Sequence, residues 1–114
     1  MKHTESWYRK KCVIRAKLKA KERDNYTCVK CGRSAKQGYQ IHGSHIKSEG
    51  LHRSMSADEN NILAMCAQCH WWWHEQPTES DIWFREAYPK LAKELDKRVQ
   101  KPFKVYWEKK YKTL

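Results

Sequence analysis

The sequence predicts a small α+β fold: a strand, a long loop, a second strand and a helix at the centre, with further helices on both sides. Three observations predict it. Cysteines come in two Cys-x2-Cys pairs, Cys28/Cys31 and Cys66/Cys69, with 34 residues between the pairs. That spacing suits one zinc ion clamped from two sides by four thiolates, a staple that joins two distant segments. Between the pairs lie two short runs of strand character, and outside them lie Gly-free stretches with helical spacing.

Residues 5–23 contain no Gly or Pro, and Trp7, Val13 or Ile14, and Leu18 recur near helical spacing among Lys and Arg, which predicts an amphipathic helix with a thin apolar stripe. Asp24-Asn25 ends it, and Gly32 supplies the permissive backbone that a turn around a metal requires. Tyr39-Gln-Ile41-His-Gly43 alternates like a strand and leads to His45. Residues 47–60 are polar and aperiodic, a long loop of the functional kind, closed by Asn61. Ile62-Leu-Ala-Met65 reads as the second strand, and the second cysteine pair opens a helix that runs through His70 and His74 and stops before Pro77. Thr78 or Ser80 can cap a further helix whose apolar positions are Ile82, Trp83, Phe84, Tyr88, Leu91 and Leu95, bent or restarted at Pro89. The tail from Lys101 mixes aromatic residues with lysines, as an ordered arm or as a segment that orders on a partner. The reading is one domain: a basic helix (1–23), a stapled core (24–77), a helical segment (78–100) and a tail (101–114).

With 114 residues, 39% hydrophobic content and a mean hydropathy of −1.04, the chain has little material for a large core, and a metal staple offsets the shortfall. Paired cysteines with no apolar leader predict a reducing, cytoplasmic setting, and no run is long enough to span a membrane. Cys12, left over, reads as a small packing residue on the first helix.

The net charge of +11 is unevenly placed. Residues 1–23 hold nine Lys/Arg against two Glu, residues 24–100 ten against ten, and residues 101–114 five against one. A neutral centre with basic ends suits a polyanion, and DNA is the expected partner. Lys10, Arg15, Lys19, Lys47, Arg53, Lys104 and Lys109 are the candidate phosphate contacts, with basic arms that provide most of the sequence-independent affinity. The competing reading of the same lysines is a solvated, solubilising surface.

Two histidines four residues apart, His70 and His74, share one helix face and can aim two imidazoles at a second, open metal site. The two cysteine pairs, Gly43-Ser44-His45-Ile46, Asn60-Asn61-Ile62-Leu63 and Cys69-His70 with His74 together resemble the HNH (ββα-metal) endonucleases, over about Cys28 to His74. The resemblance implies that His45 is the general base, that Asn61 fixes the loop that bears it, and that His70 and His74 bind the catalytic divalent metal. Many members carry Asp or His just before the base, where this chain has Ser44. Elementary chemistry fits the assignment: phosphodiester hydrolysis needs a base that titrates near neutrality, as histidine does, and a cation that stabilises charge on phosphate. Two imidazoles favour Zn, Ni, Co or Mn over a bare Mg site, although phosphate and water can complete Mg. His42 and His52 are lesser candidates for metal or phosphate contact. Trp71-Trp72-Trp73 sends three rings in three directions, at least one of them into the core.

More widely, residues 7–98 are similar to the phage NinG/Rap recombination nucleases, which implies branched DNA as substrate and a bacterial or phage-infected cell. Stand-alone phage or mobile-element HNH nicking enzymes share the same core. A reading from another class is a non-catalytic zinc module that binds nucleic acid through its basic ends.

Overall fold

A computed structural model describes residues 2–114. Its elements are helix α1 (Glu5–Arg23), strands β1 (Ile41–His45) and β2 (Ile62–Cys66), and helices α2 (Ala67–Glu75), α3 (Pro77–Ala87), α4 (Pro89–Gln100) and α5 (Trp107–Lys112). The fold is therefore α+β, with one antiparallel two-stranded sheet flanked by helices. The register pairs Ile41 with Cys66, Gly43 with Ala64 and His45 with Ile62.

The sheet separates two apolar clusters because side chains alternate across a strand. On one face Ile62 meets Tyr8, Cys12, Val13, Ala16 and Ala20 of α1, with Trp107 of α5. On the other, Leu63 and Met65 meet Met55, Phe84, Ala92 and Leu95. Every residue of β2 is buried, which explains why it reads as an unbroken apolar run. The outer edge of β2 is closed as well. Asp24 accepts from the Ala64 amide at 3.0 Å, and Val29 donates to the Ala64 carbonyl at 3.0 Å.

The stripe expected on α1 is rotated in the structure. Ile14 and Leu18 are exposed, and the buried line runs Tyr8, Cys12, Ala16, Ala20 at steps of four. Small residues on that line let the helix lie close to β1. At Gly43 a Cβ atom would meet Lys17 Cγ at 2.8 Å and Ile62 Cγ2 at 3.2 Å, so glycine sets the approach distance. Cys12 is packed on this line, as expected.

Other expectations are also corrected. Neither Thr78 nor Ser80 caps α3: the helix starts at Pro77, and the buried Ser80 hydroxyl donates to the Trp73 and Pro77 carbonyls. Proline at the first helical position forfeits only an amide that would lack a partner anyway. Pro89 restarts the chain as a separate helix in the same way, one of the two outcomes expected there. Ile82 is exposed rather than buried. Of the two expectations for the tail, the ordered arm is the one seen, docked on α1: Trp107 is buried, and the Glu5 carboxylate accepts from the Trp107 and Glu108 amides, capping α5. No helix among the described residues is long and apolar enough to cross a membrane.

Candidate metal centre and adjoining cavity

The first Cys-x2-Cys pair sits on a turn closed by Cys28 N–H donating to the Arg33 carbonyl and Gly32 N–H donating to the Cys28 carbonyl. Gly32 takes φ of 82°, a left-handed conformation that costs a residue with a Cβ. The second pair straddles the start of α2. Cys66 is the N-cap, and its sulfur accepts from the Cys69 amide at 3.4 Å. The four sulfurs all lie within 4.8 Å of one another, with Cys31 and Cys66 3.6 Å apart. Four thiolates at about 2.3 Å from one zinc would stand roughly 3.8 Å apart, so the arrangement fits such an ion. These four cysteines could hold a metal ion such as zinc. Burial raises the Cys66 thiol, but hydrogen bonds from the Cys69 amide and from the neighbouring thiols outweigh it and bring Cys66 down to about 7. A thiol poised to ionise is ready to become a ligand.

Beyond Cys69, the same helix carries the two histidines. One turn apart on α2, His70 and His74 place their Nε2 atoms 3.1 Å apart. Two imidazoles bound to one ion at about 2.0–2.1 Å would stand roughly 3.3 Å apart, so this pair also fits a shared cation. Two nitrogens do not fill a coordination sphere. Among the described residues the only group of three or more mutually close ligands is the cysteine one, so water or a substrate oxygen would have to complete this second site. Burial first, then the neighbouring His74 and His42, lowers His70 to about 4, which keeps it neutral with a lone pair to offer near pH 7.

His45 ends β1 and shares with His70 and His74 a cavity of about 450 Å³, which Lys17, Lys47, Glu49 and Trp73 also line. The Ser56 carbonyl lies 2.7 Å from His45 Nε2. A carbonyl can only accept, so Nε2 carries the proton and Nδ1 keeps the lone pair. Burial lowers the His45 pKa despite that hydrogen bond, and the neutral ring is the form present near pH 7. The Trp73 indole donates to the His45 carbonyl at 3.1 Å, holding the end of the strand against α2.

Asn61 is fully buried where the long loop returns to β2. Its Oδ1 accepts from the Lys47 amide at 2.8 Å, and its Nδ2 donates to the carbonyls of Lys47 at 3.0 Å and Met55 at 3.2 Å. The two ends of the loop are thereby pinned to one amide, with the Ser56 carbonyl next to the pinned Met55. Ser44 lies on the opposite strand face from His45, is 1% exposed, and its hydroxyl has no hydrogen-bond partner among the described residues. It does not line the cavity.

The basic residues singled out from the sequence are not brought together. Only Lys47 reaches the cavity, and its ammonium is paired with Asp96 at 2.6 Å. Arg15 and Lys19 line a separate cleft with Arg98, Phe103 and Lys110, since a two-residue step turns about 200° around a helix from Lys17. Arg53 is exposed on the loop, Lys10 is exposed near the start of α1, Lys104 lies over the Tyr106 ring, and Lys109 lies beside Tyr106 on the docked tail. Lys17 lines the cavity beside Lys47, and Arg9 pairs with the lining Glu49 at 2.6 Å; nothing in the linear sequence separates Lys17 or Arg9 from other helix lysines and arginines. His42 proves closer to the centre than expected, 2.8 Å from His70. Positions three apart on a strand face opposite ways, so its distance from His45 in the sequence gave no signal of this. His52 lies in the loop outside the cavity lining. Of the tryptophans, Trp73 packs on the core, Trp72 lies edge-on to Trp83 under Lys30, and Trp71 is exposed.

Comparison with protein-family models, with curated proteins and with solved structures gives no match.

Proposed function

We propose that the protein is a metal-dependent DNA endonuclease of the HNH type, with a structural zinc in the four-cysteine cluster and a catalytic divalent metal at His70 and His74. One observation carries the reading: His45, tied by Nε2 to a backbone carbonyl and neutral near pH 7, opens onto the same cavity as a pair of imidazoles set for one cation. In this reading His45 Nδ1 takes a proton from the attacking water, and the Ser56 carbonyl steadies the imidazolium that forms. Asn61 and Trp73 hold the ring in register by fixing the loop and the strand end. Lys17 supplies positive charge beside the phosphate. A divalent metal bound by the two histidines would add Lewis-acid stabilisation of the phosphate and leaving oxygen. Branched or recombination-intermediate DNA is the substrate class that the wider resemblance suggests.

Nicking of supercoiled plasmid tests this directly. The zinc-loaded protein should nick with Mn or Mg and stop with EDTA, and His45→Ala should bind DNA without nicking. The alternative, a non-catalytic zinc module that binds nucleic acid, is favoured by the charge excess alone; it predicts DNA binding with no nicking under any divalent metal. A panel of linear, flapped and four-way DNA then decides substrate structure.

A further inference from the structure

We propose that Gln40 and His42 form a hydrogen-bonded relay that sets the tautomer of His70, so that His70 presents an unprotonated Nε2 beside His74; the inference rests on the His70/His74 pair being a divalent-metal site. His42 Nε2 stands 3.3 Å from the Gln40 amide oxygen, and His42 Nδ1 stands 2.8 Å from His70 Nδ1. The proton order along this chain follows from valence. An amide oxygen accepts only, so His42 donates from Nε2. A neutral imidazole has one N–H, so His42 Nδ1 is a lone pair. At 2.8 Å two lone pairs cannot face each other, and the proton between the rings belongs to His70 Nδ1. His70 Nε2 is then left free, and it is this atom that lies 3.1 Å from His74 Nε2.

The relay does for His70 what a carboxylate or carbonyl usually does for a metal-bound histidine: it fixes ring orientation and raises basicity at the coordinating nitrogen. His42 is placed for it by the sheet. His42 pairs with Met65 at the end of β2 that runs directly into α2, so the strand delivers His42 beside the first turns of that helix. The reverse polarity, with the Gln40 amide nitrogen donating to His42, would move every proton one step along and leave His70 protonated on Nε2. That tautomer cannot share a cation with His74, so proton position at His70 decides between the two. In this role His42 is a positioning residue that acts through His70.

Long-range ¹H–¹⁵N spectra of the imidazoles in zinc-loaded protein at pH 8, without a second metal, read the tautomers. The proposal expects His70 as the Nδ1–H form and His42 as the Nε2–H form; His70 as the Nε2–H form overturns it. Mn²⁺ affinity, followed through the EPR signal of the free ion, should fall about 10–100-fold in His42→Ala, the usual cost of losing an outer partner of a ligating histidine. His42→Gln, which can still accept from His70 Nδ1–H, should recover most of that loss; failure of glutamine to recover any of it overturns the relay and makes His42 a ligand. Should His42→Ala not fold, the wild-type spectra and His42→Gln still decide. Unchanged Mn²⁺ binding in His70→Ala/His74→Ala would instead remove the metal-site reading beneath the proposal, an outcome distinct from a wrong tautomer.

Discussion

Helix α2 carries two ligand clusters within nine residues, and they differ in closure. At its N-terminal end four sulfurs converge and three of their cysteines are buried, so a zinc ion held by all four would have a filled tetrahedron with no room for substrate. At its other end two imidazoles converge beside a cavity of about 450 Å³, and a cation shared by two nitrogens would keep coordination positions open. A closed set can only hold structure together, whereas an open one has space for water and a phosphate oxygen. One short helix thus joins the cysteine cluster to the imidazole pair; if the first holds zinc and the second the proposed catalytic metal, loss of the first should cost the second while the converse should not hold.

The largest effect expected from that asymmetry is at the thiols. Cys66→Ser, or removal of zinc with a strong chelator, should abolish the cooperative melt, since metal binding worth about 10–16 kcal/mol in small zinc modules is folding free energy. His70→Ala should keep zinc content and melting close to wild type. If zinc-free protein melts as the wild type does, the staple does not hold the fold.

Within the open half, His45→Ala should slow nicking by about a hundredfold to ten-thousandfold with little change in DNA binding. The pH dependence follows in sign. As the proposed base His45 would act when neutral, and burial lowers its pKa below the ordinary 6.5, so the rate should be flat near pH 7 and fall only in an acid limb below 6.5. A limb centred above pH 7 would point to a different base.

The tail belongs with the structural half. Trp107→Ala empties a buried site against Cys12 and Tyr8, and should cost about 3–5 kcal/mol by thermal or urea unfolding. Removing residues 102–114 should lower the melting temperature and leave the salt dependence of DNA affinity nearly unchanged. A flattened salt slope with an unchanged melt would make the tail a DNA-binding arm instead.

Two smaller tests sharpen the boundary between the halves. Asn61→Ala strands buried groups on Lys47 and Met55 and should cost about 1–3 kcal/mol, with a loss of nicking because Ser56 no longer backs His45. Ser44→Ala should be neutral or stabilise by up to about 1 kcal/mol, since the hydroxyl it removes is buried without a partner. A Ser44→Ala variant that lost Mn²⁺ affinity would place that hydroxyl in the metal site after all.

Local signals in the sequence were sufficient for α1, the two strands, the cysteine pairs and the helix with two histidines one turn apart. Cys-x2-Cys spacing is set by the turn that carries it, and an i, i+4 pair is set by the helix repeat. The burial of Asn61 and the lone-pair state of His45 were not readable in the same way, because both depend on carbonyls of the loop, six and eleven residues away, whose positions are fixed only when the loop closes. Pairwise distance had the same effect at His42. Nothing in the order of residues brings it within 2.8 Å of His70, 28 positions on; the register of the sheet does that.

Which cations reach the cavity was unreadable for a related reason. Composition placed the excess at the two ends correctly, but which cations face the cavity depends on the rotation of α1, and that rotation is chosen by small residues packing near Gly43 rather than by its large apolar ones. The same packing turned Ile14 and Leu18 outward and left Lys17, not Arg15 or Lys19, at the site. By itself the sequence determined which ligands exist and which neighbours share a turn or a helix face, since those follow from local geometry. Tertiary structure alone decided which nitrogen carries each proton, which lysine reaches the cavity and where the tail lies, because each is settled by groups far apart in the chain that meet only in the folded core.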